Sequence, residues 1–295
     1  MRSGQAVVVG VCGPEGKAFL DELDSLYSTA TKSPRSEPEA LKYVPLAGIV
    51  DIPECSTKLS PKIIISHTPE SPEGITIVHG FRRLSLPHQD ESRLVFRTNL
   101  HGSAAEHFRL LRRTLCEKFD KGALLIITSP GVADGKTLTA LNLSACLAES
   151  GEPTLLVESN FRRPTIGNVL GCAIEAPGIE DAFAGRVGPN QVVNFIGELS
   201  LHVAVVTRTS DDSSPSIKRV GSGRFLAWAR EHFRWVVLDA GPVLPDADVA
   251  ESLPFESAVL LVIRARHTSV ELSRRAFEVL GKRLHGVIFN EATIS

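Results

Sequence analysis

The chain has 295 residues, a formal net charge of −2 and five scattered cysteines (12, 55, 116, 146 and 172). The near-neutral balance gives no electrostatic reason to expect a nucleic-acid partner. The odd number and irregular spacing of the cysteines argue for reduced thiols rather than a disulfide framework, a zinc site or an iron–sulfur centre. No apolar run approaches the ~20 residues of a membrane span, and the N-terminal apolar run is too short for a signal peptide. The expectation is a cytoplasmic protein that reaches a membrane only through a partner.

Along the chain, Ala6–Val11 reads as a strand, Lys17–Tyr27 as a helix and Pro45–Asp51 as a second strand. Gly10, Gly13 and Gly16 faintly suggest a dinucleotide-binding turn, but their spacing departs from G-x-G-x-x-G. A plain βαβ fragment with a tight glycine turn is the simpler reading. Ser28–Ala40 and His67–Gly74 are rich in turn formers and read as loops. This divides the chain into a small α/β region over 1–66, a linker over 67–91 and a main domain over 92–295.

From Glu106 onward the pattern is regular. Strands are expected at 123–128, 154–158, 201–206, 235–239, 257–263 and 285–289, and helices at 104–118, 136–150, 216–232 and 269–281. Thr268-Ser-Val-Glu271 reads as a capping box opening the last helix. Apolar strands that alternate with helices predict an α/β fold, a mostly parallel sheet with helices on both faces.

The strongest chemical signal is Ser129-Pro-Gly-Val-Ala-Asp-Gly-Lys-Thr137, set between an apolar strand and a helix. This is the layout of a phosphate-binding loop. Backbone N–H groups of Gly131, Val132, Ala133, Asp134, Gly135 and Leu138 are placed to cradle phosphates, with Lys136 as a point charge and the Thr137 hydroxyl as a Mg²⁺ ligand. Pro130 stands where the usual pattern has its first glycine. Downstream, Asp239 ends the apolar strand Trp235-Val-Val-Leu-Asp. A strand-terminal carboxylate following a P-loop is the arrangement that holds the hydration shell of a nucleotide-bound Mg²⁺.

Several further segments occur in one order: Glu106-x-x-Arg109-x-x-Arg112, the loop 129–137, Glu158-Ser-Asn160-Phe-Arg-Arg-Pro164, Gly178-Ile-Glu-Asp-Ala-Phe-Ala-Gly185, Asp239 through Asp248, and Gly286-Val-Ile-Phe-Asn290. In this set, residues 92–290 resemble the bacterial tyrosine kinases (BY-kinases) of capsule and exopolysaccharide synthesis. That family also lacks the first P-loop glycine, which accounts for Pro130. The resemblance implies ATP and Mg²⁺ as cofactors and ATP-dependent tyrosine autophosphorylation. It places Glu158 and Asn160 at two aspartate positions near the γ-phosphate, Glu158 sharing the metal with Thr137 and Asp239, and Asn290 near the base. It implies that Glu106, Arg109 and Arg112 form a subunit interface in a homo-oligomer, and that a membrane-anchored activator or chain-length protein is the partner.

Departures accompany the resemblance. Glu158 is one methylene longer than aspartate, and the Asn160 amide cannot accept a proton as a carboxylate does. Only Tyr27 and Tyr43 are present, and no tyrosine cluster follows Asn290. A pseudokinase or scaffold is therefore the alternative to an active kinase.

Overall fold

A computed structural model describes residues 8–10, 80–87, 93–172, 174–208, 215–244 and 257–291. The expected helix at 17–27, the strand at 45–51, both tyrosines, Cys12, Cys55, the two Pro-rich loops and the segment around Asp248 lie outside them. In chain order the elements are β1 (Val8–Gly10), β2 (Arg82–Leu84), α1 (Val95–Thr98), α2 (Ser103–Lys118), β3 (Ala123–Thr128), α3 (Lys136–Glu149), β4 (Thr154–Glu158), α4 (Ile166–Leu170), α5 (Ile179–Phe183), β5 (Val193–Ile196), β6 (Leu201–Ala204), α6 (Pro215–His232), β7 (Trp235–Asp239), β8 (Ala258–Arg264), α7 (Val270–Leu280) and β9 (Leu284–Asn290).

The strands form one sheet in the order β1-β9-β8-β3-β7-β4-β6-β5-β2. The six strands from β9 to β6 run parallel, as expected. β1 is antiparallel to β9, and β5 is antiparallel to β6 while running parallel with β2. Thus Val8–Gly10, expected in a separate N-terminal region, lies at one edge of the sheet. Arg82–Leu84, expected in a linker, lies at the other. Neither β2 nor β5 stands out in the sequence, because three or four residues are too few to establish a period.

Strand residues alternate between two cores, as the pleat requires. Leu125 and Ile127 of β3 belong to the core containing Leu111 and Leu115 of α2 and Leu141, Leu143 and Leu147 of α3. Leu124 and Ile126 belong to the core containing Phe225, Leu226 and Ala229 of α6 and Ala276 and Leu280 of α7. Burial on both faces is why β3, β7 and β8 carry almost unbroken apolar runs.

Chain order reverses beside β3. From β3 the chain passes through α3 to β4, beyond β7; from β8 it passes through α7 to β9 on the opposite side. A crevice opens at such a switch point, at the carboxyl ends of the strands, and open α/β sheets bind ligands there. The 129–137 loop leaves β3 at this place.

Candidate functional site

β3 delivers the loop and α3 begins at Lys136, with Gly135 as its N-cap in the left-handed region (φ 91°). Glycine is required twice over at this position. L side chains avoid that φ, and a Cβ would collide with the Asn290 amide. Ala133 adopts φ 63° without glycine's freedom, a strained conformation that persists only where surrounding contacts dictate it.

Those contacts come mainly from β8, the turn before α7, and β9. The Asn290 amide donates to the Asp134 carbonyl (3.0 Å), and Arg264 donates to the Ala133 carbonyl (3.3 Å). The buried Asp134 carboxylate accepts from the Gly131 N–H (2.9 Å) and from the Thr268 hydroxyl (2.6 Å). The Ser129 carbonyl accepts from the Val243 N–H (2.9 Å), and the Ser129 hydroxyl donates to the Gly131 carbonyl (2.6 Å). Asn290 Nδ2 is therefore committed to the loop backbone. The expected capping box is corrected. Ser269, not Thr268, caps α7, accepting from the Leu272 N–H at 3.1 Å. The Thr268 hydroxyl is committed to Asp134 instead.

β7 lies between β3 and β4, with Asp239 in register with Ile127 on one side and Glu158 on the other. Asp239 is fully buried, and neither carboxylate oxygen has a hydrogen-bond partner. Burial pushes it up to about 7, against the pull of the Lys136 charge and the nearby Thr137 hydroxyl. The Thr137 hydroxyl lies 3.1 Å from the Thr165 hydroxyl, and either can be the donor. A buried carboxylate left unpaired is costly, and two unpartnered oxygens beside a P-loop lysine and threonine are the donor set a hydrated cation needs. The residues present therefore fit Mg²⁺ bound with a nucleotide. Thr137 and Asp239 are the residues that would hold it.

Glu158 is held by three backbone donors. Its Oε1 accepts from the Thr165 and Ile166 N–H groups (2.5 and 2.9 Å), and its Oε2 accepts from the Val206 N–H (3.1 Å). The carboxylate caps α4 and ties the segment that follows β6 to it. Burial still raises its pKa, although three N–H donors pull it down. Both Glu158 oxygens have backbone partners, in contrast to those of Asp239. Asn160 is half-buried, and its Oδ1 accepts from the Arg163 N–H (3.3 Å).

On α2, Arg109 bonds to Glu106 (2.6 Å) and Glu149 (2.8 Å) and lies over the Phe96 ring. The two carboxylates raise its pKa, Glu149 most. Arg112 donates to the Cys146 carbonyl (3.0 Å) and lies 3.6 Å from Glu149. Both arginines thus join α2 to α3 within one chain. Sequence reasoning missed Thr165 and Thr268, since hydroxyls that act across the fold carry no local spacing signal.

A doubly covered sheet with a P-loop at its carboxyl edge, followed by a strand-end carboxylate, defines the P-loop NTPase-type α/β fold. Within that class, the chain is similar in sequence to bacterial tyrosine-protein kinases. It is 28% identical over 193 residues to tyrosine-protein kinase etk of Escherichia coli, covering 64% of this chain and 26% of that protein. Tyrosine-protein kinase CpsD of Streptococcus pneumoniae is 20% identical over 195 residues, covering 65% of this chain and 86% of CpsD. The solved kinase domain of the Escherichia coli tyrosine kinase ETK superposes with TM-score 0.62 at 24% identity, covering 69% of this chain and 81% of that domain. This chain spans about a quarter of the length of etk. No family model matches it.

Proposed function

We propose that the chain binds ATP·Mg²⁺ and acts as a protein-tyrosine kinase in exopolysaccharide or capsule synthesis. The single observation that carries this reading is the buried, unpartnered Asp239 carboxylate beside Lys136 and Thr137. The similarity to etk and CpsD supports the choice of tyrosine kinase among P-loop activities. When bound, ATP·Mg²⁺ supplies the phosphoryl group, and the metal offsets charge on the phosphates. Lys136 and the N–H groups from Val132 to Leu138 orient the phosphates, the Gly131 N–H being taken by Asp134 instead, while Thr137 and Asp239 hold the cation.

The attacking hydroxyl needs a proton acceptor. Asn160 cannot supply one, and both oxygens of Glu158 are held by backbone donors. These two residues favour a second reading in which nucleotide binding outlasts turnover and the protein acts as a weak kinase or scaffold. A homo-oligomer docked through Glu106, Arg109 and Arg112 fits either reading. So does a cytoplasmic protein held at the inner face of the plasma membrane by an anchored activator or chain-length partner. Among the described residues, no helix is long and apolar enough to cross a membrane.

Labelled ATP tests the proposal. The wild type, incubated with a tyrosine-bearing protein substrate, is expected to give phosphotyrosine that Lys136→Ala abolishes. Asn160→Asp is expected to raise the yield. Tight ATP binding without phosphotyrosine in either the wild type or Asn160→Asp would select the scaffold reading. Failure to bind ATP would remove both.

A further inference from the structure

We infer that Thr268 is a positioning residue that holds the phosphate loop in its ligand-ready shape through Asp134; this rests on the nucleotide-binding reading above. The Thr268 hydroxyl accepts from the Arg264 N–H at 3.0 Å and donates to Asp134 Oδ1 at 2.6 Å. Its proton is thereby directed at Asp134, and one of its two lone pairs at the Arg264 N–H. Thr268 and Asp134 are both buried, and they lie 134 residues apart in sequence. The other Asp134 oxygen accepts from the Gly131 N–H. Thr268 thus sets Asp134, and Asp134 closes the loop from Gly131 to itself.

A second observation on the same stretch of backbone agrees. Ala133 sits at φ 63°, where alanine is strained, and its carbonyl is held by Arg264, whose own N–H is the one that Thr268 accepts. The Arg264 guanidinium is in turn fixed by Glu291 at 2.8 Å. Three consecutive loop residues, Ala133 to Gly135, are therefore shaped by residues from the end of β8, the turn before α7 and the end of β9. A strained loop held by outside tethers loses its conformation when one is cut. Its phosphate donors are useful only when arranged before the ligand arrives.

The variants are Thr268→Val, which keeps the shape but removes donor and acceptor, and Thr268→Ser, which keeps both. Each is compared with the wild type for binding of a fluorescent ATP analogue with Mg²⁺, for thermal stability without nucleotide, and for hydrogen exchange of the peptide covering 129–137. Thr268→Val is expected to weaken binding about tenfold or more, the order for loss of a charge-assisted hydrogen bond, and to speed exchange in 129–137. Thr268→Ser is expected to stay within about threefold of the wild type, given its retained hydrogen-bonding capacity. Equal affinity and exchange in Thr268→Val, measured where it is fully folded, overturn the inference. So does a Thr268→Ser variant as weak as Thr268→Val. A wild type that binds no nucleotide refutes the functional reading, and the exchange comparison then decides the inference by itself.

Discussion

Replacing Asp239 with asparagine should stabilise the nucleotide-free protein while destroying Mg²⁺-dependent binding. The Asp239 carboxyl rises from 3.8 to about 7 because burial disfavours its charged form. The folded state therefore binds the proton more tightly than the unfolded state, and stability falls as pH rises from about 4 to about 7, then levels off. At 1.36 kcal/mol per tenfold, the full penalty above pH 7 is about 4 kcal/mol, as an upper estimate. An uncharged amide removes it but remains a buried polar group without partners, which costs ~1–3 kcal/mol. The net gain at pH 8 should be about 2 kcal/mol, or roughly 4–8 °C in Tm. At pH 5 the wild-type carboxyl is mostly protonated, the penalty shrinks by about 2–3 kcal/mol, and the advantage should disappear. Thermal melts in chelator at pH 5, 6, 7 and 8 measure this directly, and titration with a fluorescent nucleotide with and without Mg²⁺ measures the function lost. A variant no more stable than the wild type at pH 8, or equally favoured at pH 5 and 8, refutes the claim that Asp239 is an uncompensated buried charge.

The other predictions concern the supports of the site. Glu158→Gln leaves at least one of the Thr165, Ile166 and Val206 N–H groups unpaired; it should cost about 2–4 kcal/mol, read from denaturant midpoints, and an unchanged midpoint would refute its capping role. Ala133→Gly removes a strained φ of 63° and should add about 1 kcal/mol of stability, or ~2–4 °C, with a lower Tm as the contrary result. Arg109 is part-exposed and paired to Glu106 and Glu149, so Arg109→Ala should cost the monomer less than about 1 kcal/mol. If α2 is an assembly face, sedimentation should show the oligomer dissociating at unchanged Tm.

The parallel core was legible because its strands are buried on both faces and therefore read as continuous Val, Ile and Leu runs. The P-loop was legible because its chemistry is local: Gly135, Lys136 and Thr137 are adjacent, and the strand and helix around them are long. The sheet edges were not, since β2 and β5 are three and four residues long and owe their place to pairing rather than to pattern.

Position in a motif and occupation in the fold diverge most clearly at Glu158 and Asp239. Both end buried strands, side by side in register, and a linear motif assigns both to the metal. The structure separates them by what surrounds each carboxylate. The turn after β4 brings the Thr165 and Ile166 N–H groups back onto Glu158, and the segment that follows β6 adds the Val206 N–H. Beyond β7, the chain sends its backbone bonds past Asp239: Ala240 N–H goes to the Ile127 carbonyl, Val243 N–H goes to the Ser129 carbonyl, and the Gly241 carbonyl accepts from the Thr128 hydroxyl. One carboxylate is satisfied by the fold and the other is not. Since an unpaired buried charge is tolerated only where something charged is to bind, that difference ranks Asp239 above Glu158 as the cation-holding residue. The extra methylene of Glu158, which first looked like a flaw in a metal ligand, has a use in reaching the start of α4.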